Sequence, residues 1–436
     1  MIFLGFLTAT AAFAFAEIAE PPGGFGRTRL MGEKYWANWT DADNARIDAD
    51  IERYRKADCT ATGFHAGEQV KVEQLTHAYL FGANFFLFGH QTNEHDRVAY
   101  EGLWKGLFNA GTVALYWKDL EPERGRPRYA ADSPFIWRRP PVDPVVAFCE
   151  ENGIDMNGHA IVYGMHFAMP TWVPENRAER ERDILKHVFD VVTRYRGRIR
   201  RWDVVNEATD QPNRGIMPDD YTFKTFKWAE SALGGEAAAF GINDMDTGWG
   251  PKGPTRRYVQ LTRDLIARGA KVDHIGVESH VYRIDVFPTI IAGEHGSYVA
   301  KALRETLDSV AEAGVPIYLS ELTIPAPDDT ETGFLQQAEL VRNFYRAVFS
   351  HPSTRGITWW NVVDKTAFGE EPKFSGLLDE RYARKPACHV LDALINREWK
   401  TRLTVSADAN GTVRFRGFRG KYRLTTAGGE RTVEVE

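Results

Sequence analysis

In "RRWDVVNEATD", residues 200–210, an apolar run closes on an amide beside a carboxylate, Asn206 and Glu207. A strand core takes Val204 and Val205. A charge at its end contributes nothing unless that end opens into a working cleft. "VPIYLSELTI", residues 315–324, repeats the form and ends on Glu321. Six more short apolar runs read as strands: "YLFGANFF" (79–86), "GTVALYW" (111–117), "DMNGHAIVY" (155–163), "AAAFGIND" (237–244), "HIGVESHVY" (274–282) and "GITWWNVV" (356–363). Longer amphipathic stretches alternate with them, such as "NRAERERDILKHVFDVVTRYRG" (176–197), "TRRYVQLTRDLIARGA" (255–270) and "VAKALRETLDSVAEAG" (299–314). On the first of these, Val188, Val191, Val192 and Tyr195 recur at helical spacing. Gly197, Gly269 and Gly314 fall where a helix hands over to a strand, as glycine C-caps do. Eight strand–helix alternations predict a parallel (β/α)8 TIM barrel, whose strands read as continuous apolar runs because both faces are buried.

The flanks have another rhythm. "EQVKVEQLTHAY", residues 68–79, alternates, and so does "TVRFRGFRGKYRLTT", residues 412–426, while Asn410-Gly411 signals a hairpin turn. Neither flank has enough strands to stand alone. They are expected to pair into one small β unit. The expected organisation is a signal peptide over 1–16, an N-terminal arm and helix over 17–56 and a β flank over 57–78. The catalytic barrel follows over 79–400, and a C-terminal β flank over 401–436 pairs with 57–78. Phe415, Phe418 and Tyr422 are the candidate core of the β unit, which is expected to brace the barrel.

The 436 residues carry a formal charge of −6 and no long Lys/Arg block, which argues against a nucleic-acid partner. No apolar run reaches the roughly 20 residues that a membrane span needs. The N-terminus, "MIFLGFLTATAAFAFAEIAEPP", is apolar and ends in a small-x-small pattern at Ala14-Phe15-Ala16, without a leading Lys or Arg. It points to a secreted or periplasmic protein, expected to be a monomer. Three cysteines, Cys59, Cys149 and Cys388, form neither a disulfide framework nor a zinc cluster, though export would permit one bridge.

In such a barrel the working groups stand at the C-terminal ends of the strands. Glu207 ends the fourth strand and Glu321 the seventh. His159 lies in the third, His280 near the end of the sixth, and Trp359-Trp360 in the eighth. All face one mouth. Two carboxyl groups so placed are what hydrolysis of a sugar–sugar bond needs. A metal site built from His159, Glu207, His280 and Glu321 is the competing reading, but no His-x-His or His-Glu-x-x-His spacing supports it. No metal or cofactor is expected.

"WDVVNEA" (202–208), "SELTI" (320–324), "IGVESHV" (275–281), "GHAIVYG" (158–164) before "MPTWVP" (169–174), and "ITWWNVVD" (357–364) together resemble the family 10 glycoside hydrolases, the xylanase family. The resemblance runs from about residue 79 to 396. It implies a retaining hydrolase of β-1,4-xylan or xylo-oligosaccharides. Glu207 matches the general acid/base and Glu321 the nucleophile. Asn206 matches the amide that holds the sugar 2-hydroxyl, and His280 the imidazole on the nucleophile. His159 and Trp360 match groups lining the cleavage site. A separation of about 5–5.5 Å between the carboxyls would allow a covalent glycosyl-enzyme, and the charge on Glu321 would hold a proton on Glu207. In a strict strand Asn206 and Glu207 point to opposite faces. Both reach the site only if the strand ends or bulges there.

The departures concern the grip on the sugar. Where the family carries a Glu-Asn pair and a Lys-Trp, this chain has "GTVALYWKDLEPERG", with Val113 at the Asn and Tyr116 at the Lys. The family's Trp-His-x-Gln becomes Tyr163-Gly164-Met165-His166, so Tyr116, Tyr163 and His166 are candidate sugar contacts or plain packing and loop residues. Glu278 stands where the family has Gln, free to pair with a cation such as Arg283 or to oppose ionisation of its neighbours. A site that loses hydroxyl-bonding groups loses discrimination. The same mechanism on a different β-glycan is therefore an alternative, and a non-catalytic carbohydrate-binding barrel is the alternative from another class.

Overall fold

A computed structural model of the chain describes residues 18–209, 216–245 and 255–436. The expected signal peptide lies outside the described residues. Two strands come first, β1 (Lys56–Thr62) and β2 (Gln69–His77). The next eight are β3 (Leu80–Asn84), β4 (Ala110–Ala114), β5 (Asp155–Tyr163), β6 (Arg201–Asn206), β7 (Ala239–Asp244), β8 (His274–His280), β9 (Ile317–Thr323) and β10 (Thr354–Trp359). They pair in parallel in chain order, and β10 returns to β3, so the barrel is closed. β6 is buried at every position, as a strand covered on both faces must be.

Helices follow the strands on the outside. That over Arg177–Tyr195 starts under the Asn176 side chain, which accepts from the amides of Ala178 and Glu179, both at 3.1 Å. It buries Val188, Val191, Val192 and Tyr195. Gly197, at φ 77°, turns the chain towards β6. Among the described residues no helix is long and apolar enough to cross a membrane. Cys59, Cys149 and Cys388 are all free and buried, so the permitted bridge does not form.

The flanks do meet. β11 (Arg402–Ser406) pairs antiparallel with β2, which also pairs with β13 (Gly420–Thr426); β14 (Gly429–Val435) follows β13. β12 (Thr412–Phe418) pairs instead with β1. The turn at Asn410-Gly411 is therefore not a hairpin. It carries the chain from the four-stranded sheet to the two-stranded one. Gly411 takes φ 68° there, and the Asp408 carboxylate accepts from the amides of Asn410 and Thr412. Cys59, Val70, Val72, Val413, Phe415, Tyr422 and Leu424 form the core between the two sheets. Phe418 belongs to the barrel core instead: it lies over His77 and Phe349, which stacks on Trp399 at 4.1 Å. Because β2 runs almost directly into the start of β3, the β unit sits at the N-terminal end of the barrel, opposite the strand ends that carry function.

Candidate active site

A cleft of about 520 Å³ opens at the C-terminal ends of the strands, lined by residues that include Tyr116, Tyr163, Asn206, Glu207, Glu321 and Trp360. β6 ends at Asn206, and Glu207 takes the left-handed φ of 47°. Such a backbone is uncommon for a residue with a Cβ. It breaks the strand alternation, so two consecutive residues line one cleft. The Glu207 amide donates to the Asn243 carbonyl at 2.8 Å, which ties the turn to β7. The buried Tyr163 hydroxyl hydrogen-bonds Glu207; burial, then the Glu207 charge, drive this phenol far above its usual pKa, so it is a donor.

Glu321 is only 4% exposed and stands among three polar neighbours. His280 Nε2 lies 3.3 Å from its Oε2, and His280 Nδ1 lies 2.8 Å from Thr323 Oγ1. His159 Nε2 is 3.5 Å from Oε1. Asn243 Nδ2 donates to Oε1 at 2.8 Å. The same amide donates to Asn206 Oδ1 at 2.8 Å and to Glu278 Oε1 at 2.9 Å. Ser320 Oγ donates to Asn243 Oδ1, which fixes the amide's orientation. Gly276 gives this amide its room, since a Cβ there would lie 2.2 Å from Asn243 Oδ1.

His159 is buried, with Nδ1 2.9 Å from Asp203 Oδ2 and Nε2 3.1 Å from the Tyr116 hydroxyl. Burial disfavours its imidazolium. The Asp203 hydrogen bond and the Glu321 charge outweigh that and raise its pKa above the usual histidine value. Asp203 is opposed by burial too, but His159 and His274 hold it well below the carboxylate range. Glu278, 3% exposed, is driven well above that range, first by burial and then by the charges of Glu321 and Glu207.

Of the residues singled out in the sequence, Glu207, Glu321, Asn206, Tyr116, Tyr163 and Trp360 line the cleft, and His159, His280 and Glu278 stand directly behind Glu321. Trp359 is buried in the barrel core. Trp360 lies in a separate cluster with Phe86, Tyr116 and Tyr163. His166 is exposed and stays out of the cleft lining, where its neighbour Phe167 takes part. Arg283 lines the cleft and pairs with Asp285. Val113 is a core residue, and Trp117 stacks on His187 at 4.3 Å, away from the lining. Glu278, His280 and Glu321 are close enough to hold a cation, with one ligand atom of each within 4.8 Å of the others. That geometry is equally what a carboxylate fixed by its neighbours requires.

Several site residues escaped the sequence. Asn243 repeats the signal at 206–207, an apolar run ending in an amide and a carboxylate. Arg139 lines the cleft with its guanidinium 4.1 Å over the Tyr116 ring, held by Asp119 at 2.9 Å. Phe167 and Phe368 are 46% and 60% exposed at the cleft. These three come from irregular loops, where no periodicity marks them.

The family model "Glycosyl hydrolase family 10" matches residues 80–393. The anti-sigma-I factor RsgI6 of Acetivibrio thermocellus is 27% identical over 396 residues, covering 89% of this chain and 46% of that protein. Endo-1,4-beta-xylanase B of Thermotoga neapolitana is 25% identical over 327 residues, covering 70% of this chain and 86% of that one. Endo-1,4-beta-xylanase 2 of Arabidopsis thaliana is 24% identical over 389 residues, covering 87% of this chain and 33% of that one. The chain thus spans less than half the length of the first and third. Among solved structures, xylanase 10B from Thermotoga petrophila in complex with xylobiose is similar in fold, with a TM-score of 0.59 and 23% identity, over 74% of this chain and 95% of that one.

Proposed function

The chain belongs to glycosyl hydrolase family 10, and on that premise we propose that it cleaves β-1,4-xylosidic bonds in xylan or xylo-oligosaccharides by double displacement. The observation that carries this is the pair Glu207 and Glu321 lining one cleft, each held by its own set of polar neighbours. Glu321 attacks the anomeric carbon as Glu207 gives its proton to the leaving oxygen. The glycosidic C–O bond breaks and an ester to Glu321 forms. Glu207, now a carboxylate, takes a proton from water, which breaks that ester and restores both groups with retained configuration. Asn206 faces the sugar beside the reacting carbon, where a hydrogen bond to the 2-hydroxyl strengthens as the ring gains oxocarbenium character. His159 and Trp360 line the bound sugar, and His280 keeps Glu321 aimed.

Xylan hydrolysis by the wild-type protein tests this, beside Glu321→Ala, which is expected to bind glycan and release no sugar. Equal, slow release by both would favour a carbohydrate-binding barrel. Activity is expected to survive a chelator; its loss would favour a cation at Glu278, His280 and Glu321.

A second reading keeps the mechanism and changes the glycan. It is favoured by Val113 in the core and by Arg139 over Tyr116, which remodel the sugar grip. Release from another β-glycan with only background release from xylan would select it. The protein is taken to act as a monomer outside the cytoplasm, and the N-terminus of the mature protein from its native host tests the export.

A further inference from the structure

We propose that the underside of the barrel holds a binding site for a phosphate group, free or esterified to a small molecule, in a cavity walled by Arg55, Arg355 and Arg419. The cavity measures about 380 Å³. It lies at the face opposite the cleft, where the two chain ends meet the barrel. The helix over Asp41–Arg55 ends in it, and the link from β2 to β3 contributes His77 and Tyr79. The start of β10 contributes Arg355, and the turn between β12 and β13 contributes Arg419. Arg53 lines it too, from an exposed position. The lining holds four arginines and no carboxylate.

The charge here is uncompensated, in a chain whose formal charge is −6. Arginines close by meet carboxylates, Arg416 with Glu52 at 2.8 Å and Arg346 with Asp48 at 2.6 Å. Among the described residues none of Arg53, Arg55, Arg355 and Arg419 does so. Arg55 is the inner one, 6% exposed. Its Nε donates to the Phe349 carbonyl, and its Nη2 donates to the His351 carbonyl and to Thr354 Oγ1 at 2.8 Å. Its guanidinium also lies 4.9 Å from the Tyr79 ring and 5.3 Å from the Phe349 ring. All these partners are neutral. They fix the cation without cancelling it, and Nη1 takes part in none of the three hydrogen bonds.

Burial, and then the charges of Arg355 and Arg419, bring the pKa of Arg55 down to about 10, so it stays charged at neutral pH. Burial, then the charges of Arg55 and Lys400, hold the neighbouring His77 down to about 3. A buried cation facing like charges is costly until an anion joins it. The last turn of a helix favours cations, which accounts for Arg53 and Arg55. It does not account for Arg355 at a strand start or Arg419 in a turn. A phosphate group carries up to two charges and several acceptor oxygens, and guanidinium forks match such oxygens. The volume is that of a small-molecule site, with room for a modest organic group beside the phosphate. The bound group would join the helix end, the start of β10 and the β12–β13 turn, and so stabilise the fold from the face away from the cleft.

Calorimetric titration of the full-length protein with inorganic phosphate at pH 7.5, at constant ionic strength set with sodium chloride, provides the test. One saturable site is expected, with a rise in Tm of about 3 °C at a hundredfold excess over Kd. The double variant Arg355→Gln, Arg419→Gln is expected to bind about tenfold more weakly or worse. Arg355→Gln alone, at an exposed position, takes its place if the double variant does not fold. Glucose 6-phosphate in a parallel arm separates the two sources, since the tighter of the two ligands identifies whether the site takes free phosphate or an ester. No saturable heat from either ligand would overturn the proposal. So would equal affinity in the variant, or tighter binding of glucuronate than of phosphate. The reading of the cleft plays no part in the result.

Discussion

His159 and Asp203 form a buried pair, Nδ1 to Oδ2 at 2.9 Å, behind Glu321. Its two members shift in opposite directions, and that fixes a pH window. Asp203 is depressed, so its contribution is complete above the unfolded carboxylate value and is lost as pH falls. His159 is raised, so its contribution is complete below the unfolded histidine value and is lost as pH rises through the folded one. Both are present together between about pH 4 and 6.5. In Asp203→Asn the stability deficit, read as the difference in Tm from wild type, is expected to be greatest in that window, at about 3–5 kcal/mol for breaking a buried pair. A deficit independent of pH would show that the pair's charges carry none of it. The His159 ring protons are expected to titrate at lower pH in the variant.

Gly276 is where the backbone makes room for a side chain at the site. A methyl group there meets Asn243 Oδ1 at 2.2 Å, so Gly276→Ala pushes the amide off Glu321 and Asn206. The expected result is a fall in kcat of roughly 10- to 100-fold, since a hydrogen bond to a charged group is worth about 1.5–3 kcal/mol. Asn243→Ala is expected to fall by a similar factor, and the double variant by little more, because both remove one arrangement. Additive losses in the double variant would separate the two residues.

Asn243 also marks how far the sequence could be read. Strand–helix alternation is a signal spread over hundreds of residues, so the barrel was legible, and strand ends gave Glu207, Glu321, His159, His280 and Trp360 their places. Asn243 carried the same strand-end signal, an amide before Asp244, without a family motif around it to draw notice. The turn at Asn410-Gly411 specifies that the chain reverses, not which sheet each arm joins, and here the arms joined different sheets. Phe418 falls on the same side of β12 as Arg414 and Arg416, opposite Val413 and Phe415, at the strand's end, where the β unit meets the barrel core. Arg139, Phe167 and Phe368 lie on loops whose path tertiary packing decides.

Phe167 and Phe368 are the exposed rings of the cleft, and exposed apolar rings in a cleft suit the flat faces of pyranose units. Each Phe→Ala substitution is expected to raise KM for polymeric substrate by about 2- to 12-fold, the equivalent of roughly 0.5–1.5 kcal/mol of ring contact. The change in kcat is expected to be small, because both rings reach the cleft from loops and not from the strands that present Glu207 and Glu321. Melting temperature is expected to stay put, since little buried area is lost. A variant that lowers kcat and leaves KM alone would move that ring from substrate grip to the chemical step.

The β unit is expected to brace the barrel rather than bind glycan, and Phe418 is the residue that separates the two ideas. It is 4% exposed and packs with His77 and Phe349 beneath the barrel. Phe349 in turn stacks on Trp399, which lies 5.7 Å from Phe81 near the start of β3. Arg55, just before β1, donates to the Phe349 carbonyl and to Thr354 Oγ1 at the start of β10. The two ends of the chain therefore grip the first and last barrel strands at the face opposite the cleft. Phe418→Ala is expected to cost about 3–5 kcal/mol, as truncation of a buried aromatic does. At temperatures where the variant stays folded, kcat and KM on xylan are expected to match wild type. Unchanged stability with weakened binding of polymer would reverse the assignment, because a bracing ring acts through the fold and a binding ring acts through the substrate.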